Sequence, residues 1–231
     1  DSSLKINFEG SFFVHHSLAM VNRELLYALL NQSSFDIRMV PFENDQYQPD
    51  VQSKFYSLST NKLPQHRNPD IHVRHHWPPN FSKPEAGKCI VIFPWEYGSL
   101  PLLWRNQLNT NANDIWVYST YLKKCYEDSG IFSNKISVIP AGIDPQLFNA
   151  SCLSSKKISE LKKNRFCFFY NGGATVRKGV DILVNAYLNE FKAHENVCLV
   201  IKDSFSYGKG IADQIKKLST RQDIAKIYYI L

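Results

Sequence analysis

The sequence predicts an α/β fold built on parallel sheets, and three features predict it. Short apolar runs such as CIVIF at 89–93 and FCFFY at 166–170 lack in-out alternation, so they read as strands covered on both faces. Between such runs lie segments whose apolar residues recur at three and four, the helical period. Strand and helix alternate along the chain, which is the pattern of a parallel sheet layered with helices.

Taken in order, Leu4 to Phe8 reads as the first strand and ends at Glu9-Gly10-Ser11. From Ser17 the chain is helical, with Leu18, Val21, Leu25 and Leu29 recurring on one face. Phe35 to Phe42 is the second strand, and residues 45–68 form a long polar connection with room for one helical turn. Asp70 to His75 is a strand with an unusual load of His and Arg, stopped by Pro78-Pro79. Cys89 to Phe93 is the next strand, followed by a helix over 100–108 behind Pro101. Asp114 to Tyr118 is a strand, and Tyr121 to Asp128 is a helix closed by Gly130. Ile136 to Ile139 is a strand ending at Pro140-Ala141-Gly142.

Residues 144–164 show no apolar period and read as a connection. Strand Phe166–Tyr170, helix Val180–Ala193, strand Val197–Lys202, helix Ile211–Leu218 and strand Ile224–Leu231 follow. The expected organisation is an N-terminal Rossmann-like domain over 1–149, a linker over 150–164 and a partial second Rossmann-like domain over 165–231. The chain stops inside an apolar run, so the expectation is a fragment of a longer protein.

The chain has 231 residues, 44% of them hydrophobic, which is ample for a core. No apolar run approaches the ~20 residues that span a bilayer. No signal-peptide pattern is seen at Asp1-Ser2-Ser3, and the five cysteines are odd in number with no CxxC pair, so a cytoplasmic protein with reduced thiols is expected. Charge is uneven: residues 1–150 carry 13 Lys and Arg against 14 Asp and Glu, whereas 151–231 carry 14 against 7. The basic second part suits a phosphate-bearing ligand and leaves peripheral membrane contact as an expectation. No RNP, zinc-finger or heptad signature points to nucleic acid.

The residues with chemistry cluster at strand ends, where ligands of open parallel sheets bind. After strand 166–170 come Asn171-Gly172-Gly173, Arg177, Lys178 and a helix start. Glycines admit close backbone approach, a helix N-terminus offers N–H groups and the cations add charge, so the segment reads as an anion site for a phosphate or diphosphate. It is neither GxGxxG nor GxxxxGK[ST], and a plain βα turn with a solvated Arg-Lys pair competes on local sequence alone. His72, Arg74 and His76 share one face of their strand and His75 faces the other way. His75, beside a strand end, reads as a hydrogen-bond partner for a polar ligand or a general base. A metal site assembled from His15, His16, His72, His75 and His76 fits no zinc spacing. Trp95 and Glu96 after CIVIF pair an aromatic wall with a carboxylate, suited to a sugar ring, and compete with a packing role. No GxSxG elbow, catalytic Cys-His pair or kinase motif is present.

Four stretches together resemble the family 4, group 1 glycosyltransferases, retaining enzymes of the GT-B fold. They are IHVRHHWPPNF at 71–81, IVIFPWEYGSLP at 90–101, DIWVYSTYLKKCYEDSGIFSNKISVIPAGIDPQLF at 114–148 and NGGATVRKGVDILVNAY at 171–187. The resemblance implies two Rossmann-like domains facing across a cleft, acceptor in the first and nucleotide-diphospho-sugar in the second. It implies hexosyl transfer with retention to a glycan, lipid or other acceptor. Lys178 matches the family's diphosphate-binding lysine, Gly10 its first-domain glycine loop and His75 its cleft histidine at the transferred sugar. The family's loop arginine has no counterpart: Gly172-Gly173 occupies its place, and Arg177 or the glycine amides stand in for it. The family's E-x7-E pair is not found after Asp181, so this chain alone is expected to be inactive. Cations and helix dipoles, with no metal or other cofactor, are expected to stabilise the leaving diphosphate. Two alternatives stand beside this: a non-catalytic GT-B-like binding module, and a metal-dependent hydrolase built on the histidines.

Overall fold

Ten elements fill the first part of the chain: Leu4–Gly10 (β1), Ser17–Leu30 (α1), Phe35–Pro41 (β2), Tyr56–Thr60 (α2), Ile71–His75 (β3), Lys88–Ile92 (β4), Leu102–Asn111 (α3), Asp114–Val117 (β5), Thr120–Asp128 (α4) and Ile136–Val138 (β6). The computed structural model describes residues 3–32, 34–60, 62–95, 97–151, 155–203 and 209–231. It divides into two units, Asp1–Ile143 and Asp144–Leu231.

The first unit carries a six-stranded sheet in the order β2-β1-β3-β4-β5-β6, with every pairing parallel. The chain leaves β1 for β2 on one side and returns to β3 on the other, so the order reverses between β1 and β3. That reversal is where open α/β sheets hold ligands. Both faces are covered, and β4 shows it residue by residue. Cys89 and Val91 pack with Leu108, Ile115 and Tyr126, while Ile90 and Ile92 pack with Phe8, Leu26 and Val73. The predicted continuous apolar strand CIVIF is what such double burial requires.

Local chemistry sets the helix ends. The His16 ring Nδ1 accepts from Ala19 N–H at 3.2 Å and caps α1, and Ser119 Oγ accepts from Leu122 N–H at 3.2 Å and caps α4. Gly130 ends α4 with φ of 88°, a left-handed residue, and Ile131 N–H returns to Tyr126 O at 3.0 Å. The connection after β2 holds one short helix, α2, as its polar composition predicts.

The second unit contains Lys156–Lys162 (α5), Phe166–Asn171 (β7), Val180–Glu190 (α6), Val197–Lys202 (β8), Lys209–Thr220 (α7) and Lys226–Ile230 (β9). Its strands lie in the order β7-β8-β9, all parallel. Val184 and Tyr187 of α6 and Ile215 of α7 bury against Leu199, Ile201 and Ile227, with Leu183 and Phe191 packed alongside. The segment expected to be a linker, 150–164, contains α5, capped by Ser155 Oγ on Ile158 N–H at 3.3 Å and in contact with β8. Ile158 and Leu161, both half-buried, are the apolar residues of α5, too few to register as a helical period. Of the five cysteines, Cys89 and Cys198 are buried and free, Cys125 and Cys167 are half-buried and free, and Cys152 lies outside the described residues.

Candidate functional site

The carboxyl edge of the first sheet gathers Gly10, Ser11, Asn22, His75 and Tyr118. Gly10 and His75 are direct partners in the β1–β3 register. A Cβ on Gly10 would stand 2.5 Å from Asn22 Nδ2 and 2.8 Å from the His75 carbonyl oxygen. The close approach that a glycine permits here is therefore made by the chain's own Asn22. That side chain donates to the carbonyls of Ser11 and His75, 2.9 Å each, and its Oδ1 lies 2.5 Å from His75 Nδ1. The other ring nitrogen, Nε2, meets the Tyr118 hydroxyl at 3.0 Å. His75 is 1% exposed, and burial, followed by the neighbouring His76 and His16, lowers its pKa to about 4. It is neutral at neutral pH, with both nitrogens engaged inside the protein. Replacing Gly10 by Ala is expected to cost about 1–3 kcal/mol through overpacking against Asn22. Urea unfolding followed by tryptophan fluorescence checks this, because Trp77, Trp95, Trp104 and Trp116 all lie in the first unit.

One strand position earlier, Glu9 draws in the opposite face of β3. Its Oε2 accepts from Arg74 Nε at 2.9 Å and lies 3.0 Å from His72 Nε2, and its Oε1 is 3.4 Å from His76 Nε2. The period-two reading of IHVRHH is what the structure shows: His72, Arg74 and His76 converge on Glu9 while His75 turns away. Burial alone would raise the Glu9 pKa, but the hydrogen bond from His72, the His76 ring 3.4 Å away and the Arg74 charge outweigh it and hold the carboxyl far below its ordinary range.

The five histidines considered as metal ligands thus divide among separate partners. His75 goes to Asn22, and His72 and His76 go to a carboxylate already paired with a guanidinium. His16 Nε2 donates to Glu43 Oε1 at 3.0 Å, beside a hydrogen bond from Ser11 to the same oxygen, and His15 stacks on Tyr47 at 4.7 Å. Among the described residues no three His, Cys, Asp or Glu side chains gather as a metal-binding group. Trp95 is half-buried, donates Nε1–H to Ser99 O at 3.0 Å and packs against Phe93, Trp104 and Tyr97. Glu96 lies outside the described residues. A cavity of about 280 Å³ beside β2 holds none of the candidate residues.

In the second unit the candidate anion loop follows β7 as its sequence predicts. Val176–Lys178 form a single 3₁₀ turn, Gly179 takes a left-handed φ of 68°, and α6 starts at Val180 with no side-chain cap. The first N–H groups of an α-helix have no partner within it, so this terminus presents donors and partial positive charge at the sheet's carboxyl edge. Lys178 is exposed, and its Nζ lies 3.4 Å from where a Cβ on Gly172 would stand. Arg177 is exposed on the same turn. The loop is held from below: Ala174 N–H donates to Asp203 Oδ1 at 3.1 Å, Tyr229 donates to Asp203 Oδ2 at 2.5 Å and Tyr170 donates to Gly173 O at 3.0 Å. The expectation that both glycine amides face a ligand changes at Gly172. Its N–H donates to Lys202 O at 3.0 Å, continuing the β7–β8 ladder.

Sequence reasoning passed over Asn22, Tyr118 and Asp203. Asn22 sits within the apolar period of α1 and is fully buried, and Asp203 follows an unbroken apolar strand and is 2% exposed. A polar residue inside an apolar pattern signals a buried hydrogen-bond partner, but the partners lie 53 and 29 residues away in sequence.

No protein-family profile matches the chain, and no curated protein matches its sequence. Solved structures do match in shape. Anabaena Alr3699/HepE in complex with UDP-glucose superposes with a TM-score of 0.68 at 13% identity, over 99% of this chain and 69% of that one. A glycosyltransferase from Rickettsia africae gives 0.64 at 14% identity, over 99% and 69%. S. aureus MnaA with UDP gives 0.55 at 12% identity, over 98% and 69%. These likenesses span the chain and show an α/β, GT-B-type fold.

Proposed function

We propose that this chain belongs to a glycosyltransferase that takes a sugar from a nucleotide-diphospho-sugar, and that the loop 171–179 with the α6 N-terminus receives the diphosphate. The observation that carries this is the conjunction at one sheet edge of an exposed Lys178, the uncapped start of α6 and a loop fixed by Asp203. UDP-glucose is the first donor to try and UDP the first product-like ligand, both being present in structures of this shape. Transfer leaves a nucleoside diphosphate, whose growing negative charge is stabilised by the Lys178 ammonium and the α6 dipole. Arg177 adds a second cation on the same turn.

The motifs quoted from 71–81, 90–101, 114–148 and 171–187 support the narrower reading of a family 4, retaining hexosyltransferase acting on a glycan or lipid acceptor. Trp95 and Glu96 would shape the acceptor side. Peripheral contact with an anionic membrane, supported by the basic second part of the chain, and a cytoplasmic location, supported by the free cysteines, belong to the same reading.

Isothermal calorimetry of UDP and UDP-glucose tests the proposal. Binding is expected with Kd between roughly 1 μM and 1 mM. EDTA is expected to leave that binding unchanged, because protein cations and helix amides replace a metal in this scheme. Absence of binding by either nucleotide would overturn the donor assignment, and loss of binding on chelation would overturn the metal-free scheme.

A further inference from the structure

One hydrogen-bond chain in the first unit has its direction fixed from the inside outward. Asn22 commits both amide protons to the carbonyls of Ser11 and His75, so the Oδ1 facing His75 Nδ1 can only accept. His75 therefore carries its proton on Nδ1, and a neutral imidazole then has only a lone pair on Nε2. The group meeting that lone pair is the Tyr118 hydroxyl, which must donate to it. Tyr118 has then spent its one proton, and what its oxygen still offers is acceptor capacity. Ser11, Asn22 and His75 are all sealed within the unit, whereas Tyr118, just beyond the carboxyl end of β5, is half-buried. It is the member of this chain that keeps surface open to solvent, and it stands on the sheet edge where ligands of open parallel sheets bind.

We propose that Tyr118 receives a hydroxyl of a carbohydrate substrate as an acceptor-only group, with His75 and Asn22 as positioning residues behind it. The carbohydrate class rests on the proposed function above. A sugar hydroxyl donates and fits an oxygen that can only accept, whereas phosphate and carboxylate oxygens, which only accept, are refused. Specificity at this edge then comes from the buried Asn22, which sets the His75 tautomer and through it the single orientation of the Tyr118 O–H.

Histidine ¹⁵N NMR on the whole chain, with glucose as the probe and UDP in a parallel titration, tests this. Expected is an Nδ1–H tautomer for His75 across about pH 6–8, a shift of its Nε2 resonance on adding glucose, and a glucose response at least ~10-fold weaker in Tyr118→Phe. An Nε2–H tautomer in the unsubstituted protein overturns the proposal whether or not the variant folds. So does a glucose response equal in Tyr118→Phe, and so does the absence of any glucose response. UDP binding at the second unit's loop is read separately by calorimetry, since no histidine lies on that loop, so its failure counts against the donor assignment and leaves the tautomer result standing.

Discussion

Replacing Glu9 by Gln is expected to destabilise the first unit by about 3–5 kcal/mol. The carboxylate lies among Arg74, His72 and His76, and the Arg74 side chain is only 7% exposed. Removing the anion leaves that guanidinium charged and out of water. The carbonyls of Ser82 and Asn80, which also accept from Arg74, offset part of the loss and place the result toward the lower end. Urea unfolding read by tryptophan emission isolates the first unit. A midpoint shift equivalent to less than about 1 kcal/mol would show the pair to be solvated and unimportant. The pH dependence has a definite sign. The folded Glu9 pKa lies far below the ordinary 4.5, so its stabilisation is complete above that value. As pH falls below 4.5 the unfolded chain takes up a proton that the folded chain refuses, and stability declines progressively until the folded pKa is passed. Glu9→Gln should flatten this part of the acid limb, and an unaltered slope would contradict the assignment.

Much of this arrangement is legible from local pattern. The period of two along IHVRHH separates His75 from His72, Arg74 and His76 without reference to any other part of the chain. The continuous apolar run at 89–93 foretells a doubly covered strand, whereas the same reading of 166–170 is corrected by the structure: β7 lies at the edge of its sheet and leaves Phe166 and Phe169 exposed. The sequence Asn171 to Val180 foretells strand, turn and helix start. What is not legible is which residue stands opposite. Glu9 was visible as a strand-end carboxylate, but its partners are set by the β1–β3 register across some 65 residues. His75 looked like a ligand-facing histidine until Asn22 and Tyr118, 53 and 43 residues away, closed on both its nitrogens. Gly10 and Gly172 show the same limit: a glycine signals a close approach, and only the tertiary fold says that Asn22 approaches the first and Lys178 the second.

Replacing Lys178 by Ala is expected to weaken UDP and UDP-glucose binding by roughly 10- to 100-fold, the worth of one charge-assisted hydrogen bond. On the proposed function, sugar transfer should fall by about 100- to 1,000-fold, because charge on the departing diphosphate grows toward the transition state. Three features make this result diagnostic. Lys178 is exposed, so its loss should change stability by no more than about 0.5 kcal/mol, and a binding defect cannot be ascribed to unfolding. Uridine, which lacks the diphosphate, should bind the variant and the unsubstituted chain alike, so the defect must scale with phosphate. Raising ionic strength should weaken nucleotide binding in the unsubstituted chain more steeply than in the variant, since one fixed cation has been removed from the site. Because Gly172 commits its amide to Lys202, the phosphate-dependent affinity that remains in the variant comes from the Gly173 amide, the start of α6 and Arg177. A variant that binds UDP as tightly as its parent would show that the diphosphate does not meet this loop, and the sugar-nucleotide assignment would lose its anchor in the second unit.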